Sequence, residues 1–301
     1  MSSLRVWIRA AHIQFYTAVL VPSLLGAAVA RYQTGSFSWS LLLITLTGLC
    51  LAHAGTNMAN DYYDYLSGND VINTNYSPFN GGTRVIVEGL LRPEQVLRAS
   101  LLCYALAVLT GIYLAWLRGA PVLVFMLIGL ICSFFYSADP VRLAHHGLGE
   151  IFVGLSFGPM IVLGSYYVQT QQVSWLPFLA SLPVGLLIAA VLYINQYPDL
   201  EADRAVGKNN LVVRWGTERA LPGYYALLAG PYAIVLASVY LGLMPYSALL
   251  ALFTVPLAGV AVMVARAFHG QPKRLRPANA LTVGIHLLTG LLLGSGFFIG
   301  R

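Results

Sequence analysis

The sequence predicts an all-α polytopic membrane protein, built as a bundle of nine transmembrane helices. Of its 301 residues, 58% are hydrophobic and only 9% are charged, whereas about 25% of the residues in an ordinary soluble domain are charged. So few charges could not cover the surface of a soluble protein of this size, and the same composition excludes a disordered chain or a collagen. Apolar runs such as 41–44 and 291–293 do not alternate with polar residues, as the strands of a membrane β-barrel do.

Nine apolar stretches are long enough to cross a bilayer as helices, which takes roughly 20 residues each. We place them at residues 11–32, 38–60, 96–117, 119–137, 148–169, 174–196, 221–243, 246–268 and 279–299. The chain 1–301 is therefore interpreted as a single transmembrane domain. The turn-rich segment 76–82 and the connection 197–220 lie on one side, and we expect them to form a cap over that end of the bundle.

The charges predict the orientation of the bundle. Apart from Arg31, Arg118 and Arg301, all Lys and Arg residues, 14 of 17, lie on the side that carries the N-terminus. By the positive-inside rule this side faces the cytoplasm, and we expect a bacterial-type inner membrane. All 11 Asp and Glu residues, Asp139 included, lie on the same side, which the shortness of the opposite loops explains only in part. The net charge of +6 follows from this topology, so neither a nucleic acid nor a protein partner is expected.

Two acidic groups stand at helix ends on this side, the first after span 2 and the second after span 6. The first group comprises Asn57, Asn60, Asp61, Asp64 and Asp70. The second group comprises Asn195, Asp199 and Asp203. Spacings of three and four residues place such side chains on one face of a helix. Carboxylates on one face repel each other, and a shared cation would offset this repulsion. Mg²⁺ prefers such oxygen ligands and completes its shell with phosphate oxygens and water.

Spans 2 and 6 run in the same direction because they are four helices apart, so both groups reach the same membrane face. The arrangement also suggests a weak internal repeat of spans 1–4 in spans 5–8. Two carboxylate groups that face each other across a cavity could bind a diphosphate through bridging metal ions. The alternative is that both groups are acid-rich loop starts that contact only solvent.

With these motifs the chain resembles the UbiA superfamily of intramembrane aromatic prenyltransferases over nearly its whole length. The family's Asn and Asp pattern at four-residue spacing appears in full in the second group, whereas the first group has Gly68 at its last position. The chain also departs from the family at Asn209-Asn210, where a Thr usually follows Gly-Lys, and near Arg9 and His12, where an Arg-Pro pair is missing. Further segments are similar to the menaquinone-type branch, the 1,4-dihydroxy-2-naphthoate prenyltransferases. These segments are 57–62, 81–89, 136–150 and 203–216.

The resemblance implies Mg²⁺-dependent transfer of a polyprenyl group from a prenyl diphosphate to an aromatic acceptor, here 1,4-dihydroxy-2-naphthoate of menaquinone biosynthesis. The prenyl tail would lie in an apolar channel open to the lipid bilayer. The implied metal ligands are Asn60, Asp64, Asn195, Asp199 and Asp203, with Asp61 and Asp70 as further candidates. The implied catalytic residues are Asp64, Asp199, Asp203 and Tyr136, the last through its ring face toward an allylic cation. The expected substrate-binding residues are Lys208, Arg84 and Arg142 for the diphosphate, together with Asn57 and Glu150.

Other interpretations stay open on these data. Across the superfamily the acceptor is also 4-hydroxybenzoate, homogentisate or a non-aromatic compound. A membrane transporter is a further alternative, but its ionisable residues would be expected near the middle of the bilayer, and here they stand at helix ends. The six histidines show no metal-type grouping and are interpreted as structural or interfacial.

Overall fold

A computed structural model describes residues 3–138 and 140–300. Asp139 and Arg301, to which the charge pattern assigns opposite sides of the membrane, lie outside the described residues. The described residues form helices and one isolated β-bridge between Ser77 and Asn80, with no extended strand. The all-α prediction is therefore confirmed for this part of the chain.

Twelve α-helices follow one another along the described chain. They are α1 Ser3–Ala10, α2 Thr17–Thr34, α3 Trp39–Leu66, α4 Asn69–Ile72, α5 Pro93–Arg118, α6 Pro121–Phe135, α7 Gly149–Leu155, α8 Ile161–Thr170, α9 Trp175–Ala205, α10 Leu211–Tyr240, α11 Val255–Phe268 and α12 Pro272–Ile299. A π-helical turn at Ser156–Met160 joins α7 to α8, and a 3-10 helix at Tyr246–Thr254 leads into α11. Both pairs run on as single membrane-length segments.

Within the described residues, seven helical segments are long and apolar enough to cross a membrane. The pair Ser3–Phe15 and Thr17–Thr34, bent by 53°, would make an eighth, and Pro121–Phe135 is apolar but only 15 residues long. Each of the nine predicted spans overlaps a helix. The count of nine crossings, the cytoplasmic N-terminus and the internal repeat stay predictions.

The two motif-bearing helices, α3 and α9, are longer than their apolar parts. Ser38 caps α3 by accepting a hydrogen bond from the backbone of Leu41, and Ser174 caps α9 in the same way at Leu176. Satisfied amides at these ends favour helix initiation there. The helices continue to Leu66 and Ala205, so the acidic residues lie on helix turns. This is the helical phase that their spacing predicts.

Small residues bring the membrane helices into close contact. A Cβ atom on Gly158 would lie 2.6 Å from the Cα of Gly185, and one on Gly26 would lie 2.9 Å from the Cβ of Ser165. Neither position has room for a larger residue. Close backbone approach through glycine is typical of membrane helix packing, so Gly158 serves helix packing here. Around α9, 72% of the apolar span is buried, which makes it the central helix of the bundle.

The segment 73–92 crosses the end of the bundle at which α3 and α9 finish, and we call it the cap loop. Arg9 on α1 holds it through two hydrogen bonds to the carboxylate of Glu88, at 2.8 and 2.7 Å. Gln14 donates to the carbonyl of Pro78 at 3.0 Å, and Arg276 donates to the carbonyl of Tyr76 at 3.1 Å. The N-terminal segment and α12 thus hold the cap loop over the two motifs.

Candidate active site

The structure brings the two acidic groups together at one end of a large cavity inside the bundle. Asp64 and Asp70 from the first group and Asp199 and Asp203 from the second all line it, together with Lys208. Asp203 and Asp70 are each 3% exposed or less. Burial of several carboxylates around one cavity is expensive unless their charges are compensated.

Lys208 joins the two groups. Its Nζ lies 3.2 Å from Oδ2 of Asp64 and 3.8 Å from Oδ1 of Asp203. Burial by itself would lower the pKa of Lys208, but the charges of Asp64 and Asp203 outweigh burial and raise it well above its ordinary value. Lys208 therefore places a positive charge between the two motifs.

Asparagine amides hold the carboxylates of the second motif. Asp203 accepts hydrogen bonds from Nδ2 of Asn69 at 2.9 Å and from Nδ2 of Asn210 at 2.7 Å. The side-chain oxygen of Asn210 also caps α10 by accepting from the backbone of Val213 at 3.0 Å. Asn210 therefore has two structural roles, since one side chain both begins α10 and orients Asp203.

Asp199 is held by the cap loop. Its Oδ1 accepts hydrogen bonds from Nδ2 of Asn73 and from Nδ2 of Asn80, both at 2.6 Å. Asn80 also lines the cavity. The cap loop is therefore attached to the site itself and is not merely laid over it.

Asp70 reaches the cavity because the chain turns at Gly68. Gly68 has φ +81° and follows the end of α3, and the short helix α4 then carries Asp70 back toward the site. Gly82, with φ +67°, lies so close that a Cβ atom there would collide with the carboxylate of Asp70. That carboxylate makes no hydrogen bond within the described residues. Burial and then the charges of Asp64 and Asp61 raise the pKa of Asp70 to about 8.

The donor chemistry fits a hard divalent cation. Four carboxylates line the cavity while one lysine compensates them, and oxygen donors of this kind suit Mg²⁺. No three acidic, histidine or cysteine side chains of the described chain already surround a common point as metal ligands. Because Mg²⁺ keeps several waters and needs only one or two carboxylates, a ligand or two from each motif would suffice.

Four predicted site residues do not line the cavity, namely Asp61, Arg84, Arg142 and Glu150. Asp61 is 3% exposed and accepts from Nε2 of His12 at 2.9 Å and from the backbone and hydroxyl of Thr83. Arg84 donates to the carbonyl of Asp70 at 2.8 Å and stacks on the ring of Tyr76 at 4.1 Å. In the structure Asp61 fastens the N-terminal segment and Arg84 braces the cap loop.

The third of these residues, Arg142, begins the 3-10 turn Leu143–His145 with φ +42°. Tyr136 and Asn57 do line the cavity. Glu150 lies just behind the cavity wall, where its Oε1 accepts from Nε2 of Gln196 at 2.8 Å. Its other oxygen is buried without a hydrogen-bond partner in the described chain, whereas Gln196 is part of the wall.

Beyond the acidic end the cavity continues as an apolar channel through the bundle. Its walls include Leu49 and Ala52 on α3, Leu114 on α5 and Phe125 on α6. On α3 the lining runs from Asp64 to Thr45, about 28 Å at the helical rise of about 1.5 Å per residue. This is close to the thickness of the hydrocarbon core of a bilayer, about 30 Å.

His53 is a cavity residue that the sequence interpretation treats as structural or interfacial. It is 6% exposed, and neither ring nitrogen makes a hydrogen bond within the described residues. The rings of Tyr16 and Phe157 meet it edge to face at 5.4 and 5.5 Å. The signal that points to it is spacing, because His53 stands four residues before Asn57 and so continues the polar face of α3. Helical spacing does not point to Asn69, Asn73, Asn80 and Asn210, because turns of the chain bring these asparagines to the site.

Comparison with known proteins agrees with this geometry. The model of the UbiA prenyltransferase family matches residues 19–295. The chain is 28% identical to a 2-carboxy-1,4-naphthoquinone phytyltransferase of Synechocystis over 295 residues, which cover 97% of this chain and 93% of that protein. It is 31% identical to a 1,4-dihydroxy-2-naphthoate octaprenyltransferase of Mycobacterium tuberculosis over 232 residues, 76% of each chain. The fold is similar to that of a UbiA homolog from Archaeoglobus fulgidus bound to GPP and Mg²⁺, with a TM-score of 0.63, 18% identity, and coverage of 96% of this chain and 99% of that one.

Proposed function

The chain belongs to the UbiA prenyltransferase family, and from this premise we propose that it transfers a polyprenyl group from a prenyl diphosphate to 1,4-dihydroxy-2-naphthoate, a step of menaquinone biosynthesis. The chain is an integral membrane prenyltransferase, and the assignment of a prenyl diphosphate as its substrate rests on one observation. Two carboxylate groups joined by Lys208 close one end of an apolar channel of membrane length. This arrangement suits a ligand with a charged diphosphate head and a long apolar tail.

The diphosphate would bind at the acidic end. Lys208 lies between the motifs and would contact phosphate oxygens as a compact charge. The residues that would hold Mg²⁺ are Asp64 and Asp70 on one side and Asp199 and Asp203 on the other, with the amide oxygen of Asn60 beside them. A bound Mg²⁺ would neutralise the diphosphate and stabilise it as a leaving group.

The channel would protect the allylic cation that forms when the carbon–oxygen bond breaks. Tyr136 lines the cavity next to the acidic end, and an aromatic face stabilises a nearby cation by roughly 0.5–2 kcal/mol. The apolar walls below it exclude the water that would quench the cation. Asn57, which donates to the carbonyl of Ala11 at 3.3 Å, supports the wall between these two regions.

Glu150 and Gln196 support an acceptor that carries hydroxyl groups. The free carboxylate oxygen of Glu150 and the free amide oxygen of Gln196 are both hydrogen-bond acceptors without a donor in the described chain. A dihydroxy-aromatic ring offers two O–H donors, and a small shift of the wall at Gln196 would bring them into contact. The names of the relatives favour naphthoate over 4-hydroxybenzoate and homogentisate. The basic residues around this end support a site that faces the cytoplasm of a bacterial-type cell.

The test is a product assay with a panel of acceptors. Purified protein is incubated with Mg²⁺, a labelled prenyl diphosphate, and naphthoate, hydroxybenzoate or homogentisate, and products are identified by mass spectrometry. We expect product with 1,4-dihydroxy-2-naphthoate and none with Asp64→Ala or Asp199→Ala, both checked for folding by their melting temperatures. Product with a different acceptor alone would overturn the substrate assignment and leave the prenyl transfer intact.

A further inference from the structure

The last helix holds the asparagine of the second motif. Asn279 on α12 is 1% exposed. Its Nδ2 donates to the backbone carbonyl of Ile194 at 3.1 Å and to Oδ1 of Asn195 at 2.7 Å. A carbonyl only accepts, so the group of Asn279 that faces Ile194 is the NH₂ group. The atom of Asn195 that meets the same NH₂ group must therefore be its oxygen, and the network determines the orientation of both amides.

This orientation leaves the N–H bonds of Asn195 for a ligand. Asn195 lines the cavity, and its amide nitrogen has no hydrogen-bond partner in the part of the chain that the structure describes. An amide N–H donates to an oxygen and cannot coordinate a cation. Asn195 stands one helical turn before Asp199, about 6 Å further along α9 toward the interior of the bundle. At that depth the diphosphate of a bound substrate would join its prenyl chain.

The asparagine of the first motif has the opposite orientation. Nδ2 of Asn60 donates to Oδ2 of Asp64 at 3.1 Å and to Oγ of Ser137 at 2.8 Å. A carboxylate only accepts, so the amide oxygen of Asn60 is the atom left over. It is the atom that a divalent cation prefers. Two residues at matching places in the two motifs therefore present different atoms.

We propose that Asn195 is a hydrogen-bond donor to the diphosphate and not a metal ligand, and that Asn279 is the positioning residue that holds it in that orientation. This inference rests on the proposed function, and it replaces the expectation that Asn195 is a metal ligand. At this depth the N–H bonds of Asn195 would donate to the non-bridging oxygens of the phosphate that carries the prenyl chain. They stabilise the charge that develops there as the bond breaks.

The Asn195→Asp variant distinguishes a hydrogen-bond donor from a metal ligand at this position. The new carboxylate still accepts from Asn279 but turns its second oxygen toward the diphosphate, where it repels instead of donating. At saturating Mg²⁺ we expect a non-reactive prenyl thiolodiphosphate to bind roughly tenfold to hundredfold more weakly, the loss typical of a hydrogen bond to a charged group. Calorimetry measures this affinity without turnover. Equal or tighter binding, as expected of an aspartate that replaces a metal-ligating asparagine, would overturn the proposal.

Asn279→Asp tests the positioning role. Its carboxylate has no N–H bond, so Asn195 would turn its NH₂ group toward α12 and its oxygen toward the cavity. We expect the same weakening of the thiolodiphosphate, and a higher KM for the prenyl diphosphate at an unchanged KM for the acceptor. Thr282→Val is the matched control, because Thr282 is also buried on α12 and hydrogen-bonded, to Tyr224 at 2.7 Å. An equal effect in Thr282→Val, or an effect on the acceptor KM alone, would overturn the positioning role.

The measurement also separates this inference from the proposed function. The thiolodiphosphate needs only the diphosphate end of the site, so its binding does not depend on which acceptor the protein uses. If the unchanged protein fails to bind it with Mg²⁺, the proposed function itself is wrong. If the unchanged protein binds it and Asn195→Asp binds equally well, only the inference about Asn195 and Asn279 is wrong.

Discussion

Within the part of the chain that the structure describes, Lys208 is the side chain that forms ion pairs with both acidic motifs, through Asp64 and Asp203. Without its charge these two buried carboxylates would lack a cationic partner, so Lys208 stabilises the site. We expect the same charge to attract a diphosphate. Its position just past α9, at the start of the connection to α10, lets one residue reach both groups.

We expect Lys208→Ala to raise the KM for the prenyl diphosphate roughly tenfold to hundredfold, since it removes a hydrogen bond to a charged ligand. Steady-state kinetics with varied prenyl diphosphate measure this. Lys273→Ala is the control, because Lys273 is exposed at the start of α12 on the same side of the bundle. Similar KM values for the two variants would contradict the role of Lys208.

We expect Asp70 to make Mg²⁺ binding depend on pH. Its pKa is raised to about 8 by burial and by neighbouring carboxylates, so the side chain is protonated below that pH and must lose the proton to hold a cation. Mg²⁺ affinity should therefore increase as the pH rises through about 8 and decrease below it. Titration of the Mg²⁺ requirement of thiolodiphosphate binding at several pH values checks this. Asp70→Asn should bind Mg²⁺ more weakly and show a flatter profile, and an unchanged profile would contradict the prediction.

At the scale of elements, the cap loop links three helices to the site. It is held by α1 through Glu88, it holds Asp199 on α9 through Asn73 and Asn80, and it presses Gly82 against Asp70 after α3. A change in the loop backbone therefore reaches both motifs. A substrate that displaces the asparagine amides from Asp199 would also loosen the loop.

Gly82→Ala tests this coupling with a close control. Gly82 and Gly89 both have φ +67°, but a Cβ atom meets the Asp70 carboxylate at Gly82 and nothing within 4 Å at Gly89. Both variants should lose about 1 kcal/mol of stability from the left-handed backbone. Only Gly82→Ala should lose most of its prenyl transfer, because Asp70 is displaced. Thermal denaturation and product formation measure the two effects, and equal activities would contradict the coupling.

At the scale of the whole molecule, we expect the channel to limit the length of the prenyl tail. It extends about 28 Å along α3, and an extended chain advances about 1.2 Å per bond. With four chain bonds in each isoprene unit, the channel holds about six units. A long polyprenyl group therefore fits inside the bundle.

Ala52→Trp should shorten the chains that the protein accepts. Ala52 lines the channel about 18 Å from Asp64 along α3, so a bulky ring there leaves room for a geranyl chain and blocks much longer ones. Comparison of kcat/KM for geranyl and hexaprenyl diphosphates measures this selectivity. Leu109→Trp is the control, since Leu109 is 62% exposed on the outer face of α5 and should leave the ratio unchanged. If the ratio of the kcat/KM values for geranyl and hexaprenyl diphosphates changed equally in both variants, the prenyl tail would not pass Ala52.

Composition and spacing suffice to predict the membrane bundle, the helical phase of both motifs and their place at one end of the molecule. They suffice because transmembrane length and helical periodicity are local properties of the chain. Asp64, Asp199 and Asp203 are predictable for the same reason. Neighbouring residues on a helix point in directions about 100° apart, and Asn60 shares its face with Asp64. Asp61 also stands four residues after Asn57 and three before Asp64, so helical phase leaves its place open, and its contacts with His12 and Thr83 decide it.

Tertiary structure alone decided which polar groups complete the site and which atoms they present. Asp70 reaches the cavity only because the chain reverses at Gly68, and Arg84 braces the cap loop instead of facing the cavity. Asn60 and Asn195 present different atoms because their neighbours differ. Asn60 donates to the carboxylate of Asp64, whereas Asn195 accepts from the amide of Asn279, 84 residues away. Contacts between distant segments depend on packing, and spacing along the chain carries no information about them.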